Sequence, residues 1–134
     1  MFVLNSTVEY SLLFLGYLRE KKGYVSLKEV AQNLSLPRRF LARLAALLVK
    51  NGVVESREGK TGGYKLGRKF DEINLFDFLQ IFEEKKELVK CTKMDFSCKY
   101  INFCKHRRFF LDLNKVLKKE FSKYKLSDVF NSYA

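Results

Sequence analysis

The sequence predicts a mainly α-helical fold carrying one small β-hairpin. Three observations predict it. Apolar residues recur at three- and four-residue steps in several separate stretches, the signature of helices with one buried face. Only residues 53–66 hold two β-prone runs around a glycine-bearing turn. With one proline, seven glycines and 47% apolar residues among 134, the chain has the composition of a cored domain rather than a disordered one.

The elements follow in order. Residues 7–20 place Tyr10, Leu13, Phe14, Tyr17 and Leu18 at helical spacing, and Lys21, Lys22 and Gly23 end that helix. Ser26, with Glu29 three residues later, forms a capping-box pattern. It opens a second helix over 27–33 with Leu27, Val30, Ala31 and Leu34 inward. Ser35 reads as the N-cap of a third helix, with Pro37 in its first turn and Asn51-Gly52 at its end. The apolar stripe of that helix is Phe40, Leu41, Leu44, Leu47 and Leu48. Residues 53–56 and 64–66 read as a hairpin with its tip at 57–63. A short helix capped by Asn74 runs through "NLFDFLQIFEE". A long helix from about Lys105 to Lys123 carries Phe109, Phe110, Leu113, Val116, Leu117 and Phe121.

Two short helices joined by a tight turn, then a two-stranded wing, describe a winged helix-turn-helix. The second helix of such a motif enters the DNA major groove amino end first. Arg38, Arg39 and Arg43 sit early in it and mostly off the apolar stripe, where arginine can grip guanine or phosphate through two parallel hydrogen bonds. The wing adds Arg57, Lys60 and Thr61. Gly62 and Gly63 can let backbone amides approach phosphate, or can simply turn the hairpin. Tyr64 is divided between core and DNA contact.

Charge points the same way. The formal net charge is +11. Residues 1–70 hold 13 Lys/Arg against 5 Asp/Glu, a balance of +8; residues 71–134 hold 13 against 10, a balance of +3. A basic front half suits a polyanion. That polyanion is nucleic acid or an anionic membrane surface; a membrane span is not expected, because the longest clean apolar run, "YSLLFLGYL", is nine residues and a span needs about 20. The opening also lacks a basic segment and a small-residue cleavage site, so a cytoplasmic location is expected. The long last helix carries more Phe and Leu than one small core absorbs. A second copy would cover that surplus, and the expected assembly is a homodimer straddling a pseudo-palindromic operator.

All three cysteines and the single histidine fall within "CTKMDFSCKYINFCKH". An odd, clustered set in an intracellular chain argues for metal binding or redox sensing over structural disulfides. Six residues separate Cys91 from Cys98, and five separate Cys98 from Cys104. Those gaps are too wide for paired Cys-x-x-Cys zinc knuckles. They can wrap a larger inorganic unit, and thiolates are the usual ligands of iron–sulfur clusters.

The chain resembles the IscR/NsrR-like iron–sulfur transcription regulators. The resemblance is carried in order by "VEYSLLFLGYL", "VAQNLSLPRRFLARLAALLVKNGVVES", "GKTGGYKLGR", "INLFDFLQIFE", the three cysteines and "LSDVF". It implies a homodimeric winged-helix repressor or activator. It also implies a 2Fe–2S or 4Fe–4S cluster, held by Cys91, Cys98, Cys104 and one further ligand, that tunes DNA affinity. Two family positions differ here. Some members use a histidine three places after the last cysteine; here Arg107 stands at that place and His106 lies one earlier. Other members use an acidic residue early in the first helix, supplied by the partner subunit. Glu9 matches it and is preferred to His106, because two residues along a helix is nearly the opposite face from Cys104. The family wing reads Ser-x-Arg-Gly, whereas this chain reads Ser56-Arg57-Glu58-Gly59, with Arg57 one place early.

The expected organisation is a winged helix-turn-helix DNA-binding domain over 1–82, a cysteine-bearing cluster loop over 83–107, and a dimerisation helix with its tail over 108–134. The alternative keeps the DNA reader and uses the cysteines as a thiol switch or zinc site. An enzyme built on Cys104 and His106 has no evident residue to orient the histidine and no other catalytic motif beside it.

Overall fold

The computed structural model describes residues 5–82, 99–100 and 102–131. Helix α1 spans Ser6–Arg19, and the Asn5 side chain caps it by accepting from the Val8 amide at 3.0 Å. Its buried residues are Val8, Ser11, Phe14, Leu15 and Leu18. The inward stripe is therefore turned by about one position from the expected one. Leu13 faces out at 52% exposure, and Tyr10 is half-buried, edge-on to Phe40. Ser11 makes this possible, because its hydroxyl donates to Thr7 O at 2.8 Å and so carries no unmet polar group inward.

Helix α2, Leu27–Leu34, is capped by Ser26, whose Oγ accepts from Glu29 N at 3.1 Å. The Glu29 carboxylate turns to α1 and accepts from the Tyr17 hydroxyl at 2.8 Å. That hydrogen bond, then burial, raises the Tyr17 pKa above the ordinary phenol value. Ser35 is not the N-cap of the next helix. It ends α2 in the left-handed region, φ 53°, and Leu36 N closes the end on Ala31 O at 3.1 Å. A left-handed residue is what reverses the chain within so short a turn.

Helix α3, Arg38–Lys50, follows from Pro37 at the N-cap position. It buries Leu41, Leu44, Ala45 and Leu48, with Leu47 at its rim. Strands β1, Val54–Arg57, and β2, Gly63–Leu66, pair antiparallel with Val54 opposite Leu66 and Arg57 opposite Gly63. Val25 adds a short bridge to Tyr64 through two bonds of 2.8 Å. A 3-10 turn, Arg68–Phe70, then drops Phe70 into the core, and α4, Leu75–Gln80, starts from an Asn74 cap with Phe78 fully buried.

Helix α5, Arg107–Ser122, packs along α4 but buries none of its own residues. The chain then returns. Leu75 N donates to Tyr124 O at 2.7 Å, and Leu126 N donates to Ile73 O at 3.0 Å. Helix α6, Leu126–Asn131, inserts Leu126 into the core of the front half. Phe130 stacks on Phe70, and Arg19 from α1 donates to Phe130 O. No described helix is long and apolar enough to cross a membrane.

Candidate functional site

The first site is the exposed side of α3 with the hairpin beside it. Arg38, Arg39 and Arg43 are all exposed, as expected. Arg39 and Arg43 stand one turn apart on one face, which Ala46 and Lys50 extend. The start of α3 has no side-chain cap and no acidic residue in its first turn. Cations at the positive end of a helix are unfavourable by themselves, each by about 0.3–1 kcal/mol. A phosphate placed there relieves both the uncapped amides and the clustered charge.

The wing is more tightly built than its composition suggested. A Cβ on Gly62 would stand 2.1 Å from Arg57 O, and one on Gly63 would stand 2.2 Å from Val25 O. Gly62 is thus required by the tight closure of the wing tip, and Gly63 by the close pass of the segment around Val25. Gly63 also has φ +147°, which side-chain-bearing residues rarely adopt. Tyr64 is half-buried and meets Phe14 edge-on, so its ring belongs to the core. Lys60 and Thr61 are exposed at the tip, and so is Glu58. Arg57 Nη2 donates to Thr61 O at 2.9 Å, with the guanidinium over the Tyr24 ring at 4.2 Å. Sequence reasoning passed over Tyr24. Its only signal was its place just before Val25, in a run too short to read as a strand.

The second site lies where α5 begins. Cys104 is half-buried and its thiol is free. Its Sγ is 3.5 Å from His106 Nε2. The expectation that these two face apart rested on a helix starting near Lys105. The helix starts at Arg107, with His106 at the N-cap position, so residues 104–106 form a turn that lets the pair meet. A thiolate at about 2.3 Å and an imidazole at about 2.0 Å from one tetrahedral metal ion stand about 3.5 Å apart. The pair therefore fits a single thiophilic metal centre. Cys91 and Cys98 lie outside the described residues. Among the described residues no group of three or more metal-ligating side chains is brought together. Glu9 is exposed on α1. It lines a groove of about 620 Å³ with Leu12, Leu13, Tyr17, Leu34, Val129 and Phe130.

Two helices crossing at a left-handed turn, with a paired hairpin beside them, define a winged helix-turn-helix regulator. A family model described as "Rrf2: Iron-dependent Transcriptional regulator" matches residues 4–132. The chain belongs to the Rrf2 family of transcriptional regulators, which are DNA-binding proteins and not enzymes. It is similar to the HTH-type transcriptional regulator NsrR of Shouchella clausii, at 33% identity over 90 residues, 66% of this chain and 60% of that one. Among solved structures it is similar to CymR, the global cysteine regulator of B. subtilis. That match has a TM-score of 0.69 and 26% identity, covering 100% of this chain and 99% of that one. T. potens IscR matches with a TM-score of 0.64 and 25% identity, covering 98% and 88%.

Proposed function

We propose that this chain is a homodimeric repressor or activator whose grip on a pseudo-palindromic operator is tuned by an iron–sulfur cluster. Residues 1–82 form the reading head, 83–107 the cysteine segment, and 108–134 the dimerisation helix and a tail whose α6 returns to pack on the head. Arg38, Arg39 and Arg43 enter the major groove, and Lys60 and Thr61 address the neighbouring backbone. Cys91, Cys98 and Cys104 hold the cluster. Bound there, it supplies a redox- and nitric-oxide-sensitive centre at the root of α5. The observation that carries this reading is the match of residues 4–132 to a family described as iron-dependent transcriptional regulators. Glu9, supplied by the partner subunit, is the fourth ligand of the cluster, and the 3.5 Å approach of Cys104 Sγ to His106 Nε2 belongs with the single-metal alternative.

The coupling runs through this chain's own packing. Cys104 and His106 sit just before α5, and α5 lies against α4 of the head. Reorganising the turn shifts α5 and, in a dimer, the spacing of the two heads. A coupling of about 1–3 kcal/mol changes operator affinity 5- to 150-fold. A second reading uses the cysteines as a thiol switch or zinc site without a cluster. The full-length likeness to CymR, named a cysteine regulator, favours it.

Anaerobic purification with iron and sulfide counted, and the visible spectrum recorded, separates the two. Iron, sulfide and a visible absorption band are expected, and Cys104→Ala should remove them. Zinc alone, or no metal with two oxidisable thiols, would replace the cluster by the second reading. DNA binding should weaken with salt at a log–log slope of about 0.9 per phosphate neutralised. Arg39→Ala and Arg43→Ala should each make that slope shallower.

A further inference from the structure

The outer face of the wing holds a group of side chains that operator reading does not use. Pairing sets Glu55 opposite Lys65 and Arg57 opposite Gly63. Ser56 and Tyr64 occupy the other face, where Tyr64 meets the core. Val25 bridges Tyr64 and is itself buried, so strand alternation sends its neighbour Tyr24 to the outer face. There the Tyr24 ring lies beneath two cations, Arg57 at 4.2 Å and Lys65 at 4.9 Å. Arg57 Nη2 also reaches across the tip to Thr61 O at 2.9 Å. One guanidinium thus ties the end of β1 to the far side of the tip and to the segment joining α1 and α2.

We propose that Tyr24 and Arg57 are positioning residues that brace the wing for DNA, with Lys60 as the tip cation that meets phosphate. To read DNA itself, Arg57 would have to leave both the ring and the Thr61 carbonyl. Left in place, it keeps the tip ordered before DNA arrives, so less ordering entropy is lost on binding. The position of this arginine, one place before Glu58, suits a brace. It is the last paired residue of β1, and the alternation that sets it beside Tyr24 turns it back along the sheet. The inference rests on the reading of the front half as a DNA binder.

The test uses the full chain and a randomised-sequence DNA duplex, titrated across a salt series by fluorescence anisotropy. Tyr24→Leu and Arg57→Gln should each weaken binding about twofold to fivefold with the wild-type salt slope, since the stack they lose is worth that much. Tyr24→Phe keeps the ring and should bind as wild type. Lys60→Gln should lower the slope by about 0.9. If Arg57→Gln lowers the slope by the same amount, or Tyr24→Leu binds as wild type, the brace is overturned. Amide exchange at Gly62, which donates to Gly59 O at 3.1 Å, tests the brace without DNA. Exchange should quicken in Tyr24→Leu and Arg57→Gln but not in Tyr24→Phe, and equal rates in all of them would overturn it. Loss of all salt-dependent duplex binding in the wild type would instead strike the DNA reading, with the exchange rates still deciding the brace.

Discussion

The head and the helix that leaves it are both rich in phenylalanine, and they place it in opposite ways. Phe14, Phe70 and Phe78 disappear into the head. In α5, Phe109 is 63% exposed and Val116 is 61% exposed, and no residue of the helix is buried. The head closes on itself within one chain. An amphipathic helix of 16 residues gains most of its stability from packing its apolar face. The apolar side of α5 is covered only in part by α4, and its remainder is the surface the proposed second copy would cover. Helix α6 belongs with the head by the same criterion, although it follows α5 in the chain, because Leu126 is fully buried beside the head core.

That contrast can be broken in stages. Phe78→Ala should cost about 3–5 kcal/mol, read as a lower midpoint in urea unfolding. A smaller loss would mean that the α4 contact with the core is looser than its burial implies. Leu126→Ala should cost about 2–5 kcal/mol in the same titration; a change near zero would detach α6 from the head and undo its assignment. Ser26→Ala removes the α2 cap and should cost about 1 kcal/mol, visible as a shift in thermal midpoint by circular dichroism. The smallest effect on unfolding of the head is expected from Phe109→Ala, within about 0.5 kcal/mol. The same variant should move sedimentation toward the monomer. If Phe109→Ala unfolds the head and leaves the assembly unchanged, α5 is an internal strut rather than an interface.

Much of the head was legible because its signals are local. Ser26 and Asn74 cap the helices they were expected to cap, and Asn51-Gly52 ends α3. The misread positions turn on exact helix ends and on which face packs inward, which local pattern leaves open. Ser35 looks like an N-cap in sequence, yet the reversal between α2 and α3 needs a left-handed residue at that point. The inward face of α1 was shifted because Leu13 is apolar and Ser11 polar; only the bond to Thr7 O shows why the serine can be inside. Glu29 looked committed to a capping box, but its carboxylate accepts from the Tyr17 hydroxyl twelve residues away. In the thiol corner, the separation of Cys104 and His106 turned on where α5 begins, a boundary that differs by two residues from its expected place.

By itself the sequence determined the class of the protein: the periodicities, caps, turn glycines and ordered motifs are short-range, and each acts on its own neighbours through backbone geometry. The basic balance of the front half was likewise fixed by composition. Only the tertiary structure decided that Tyr24 lies under Arg57, that Leu126 returns to the head, and that Cys104 meets His106. The first two depend on a chain direction set by packing elsewhere, so no window of residues contains the information, and the third depends on the exact residue at which α5 begins.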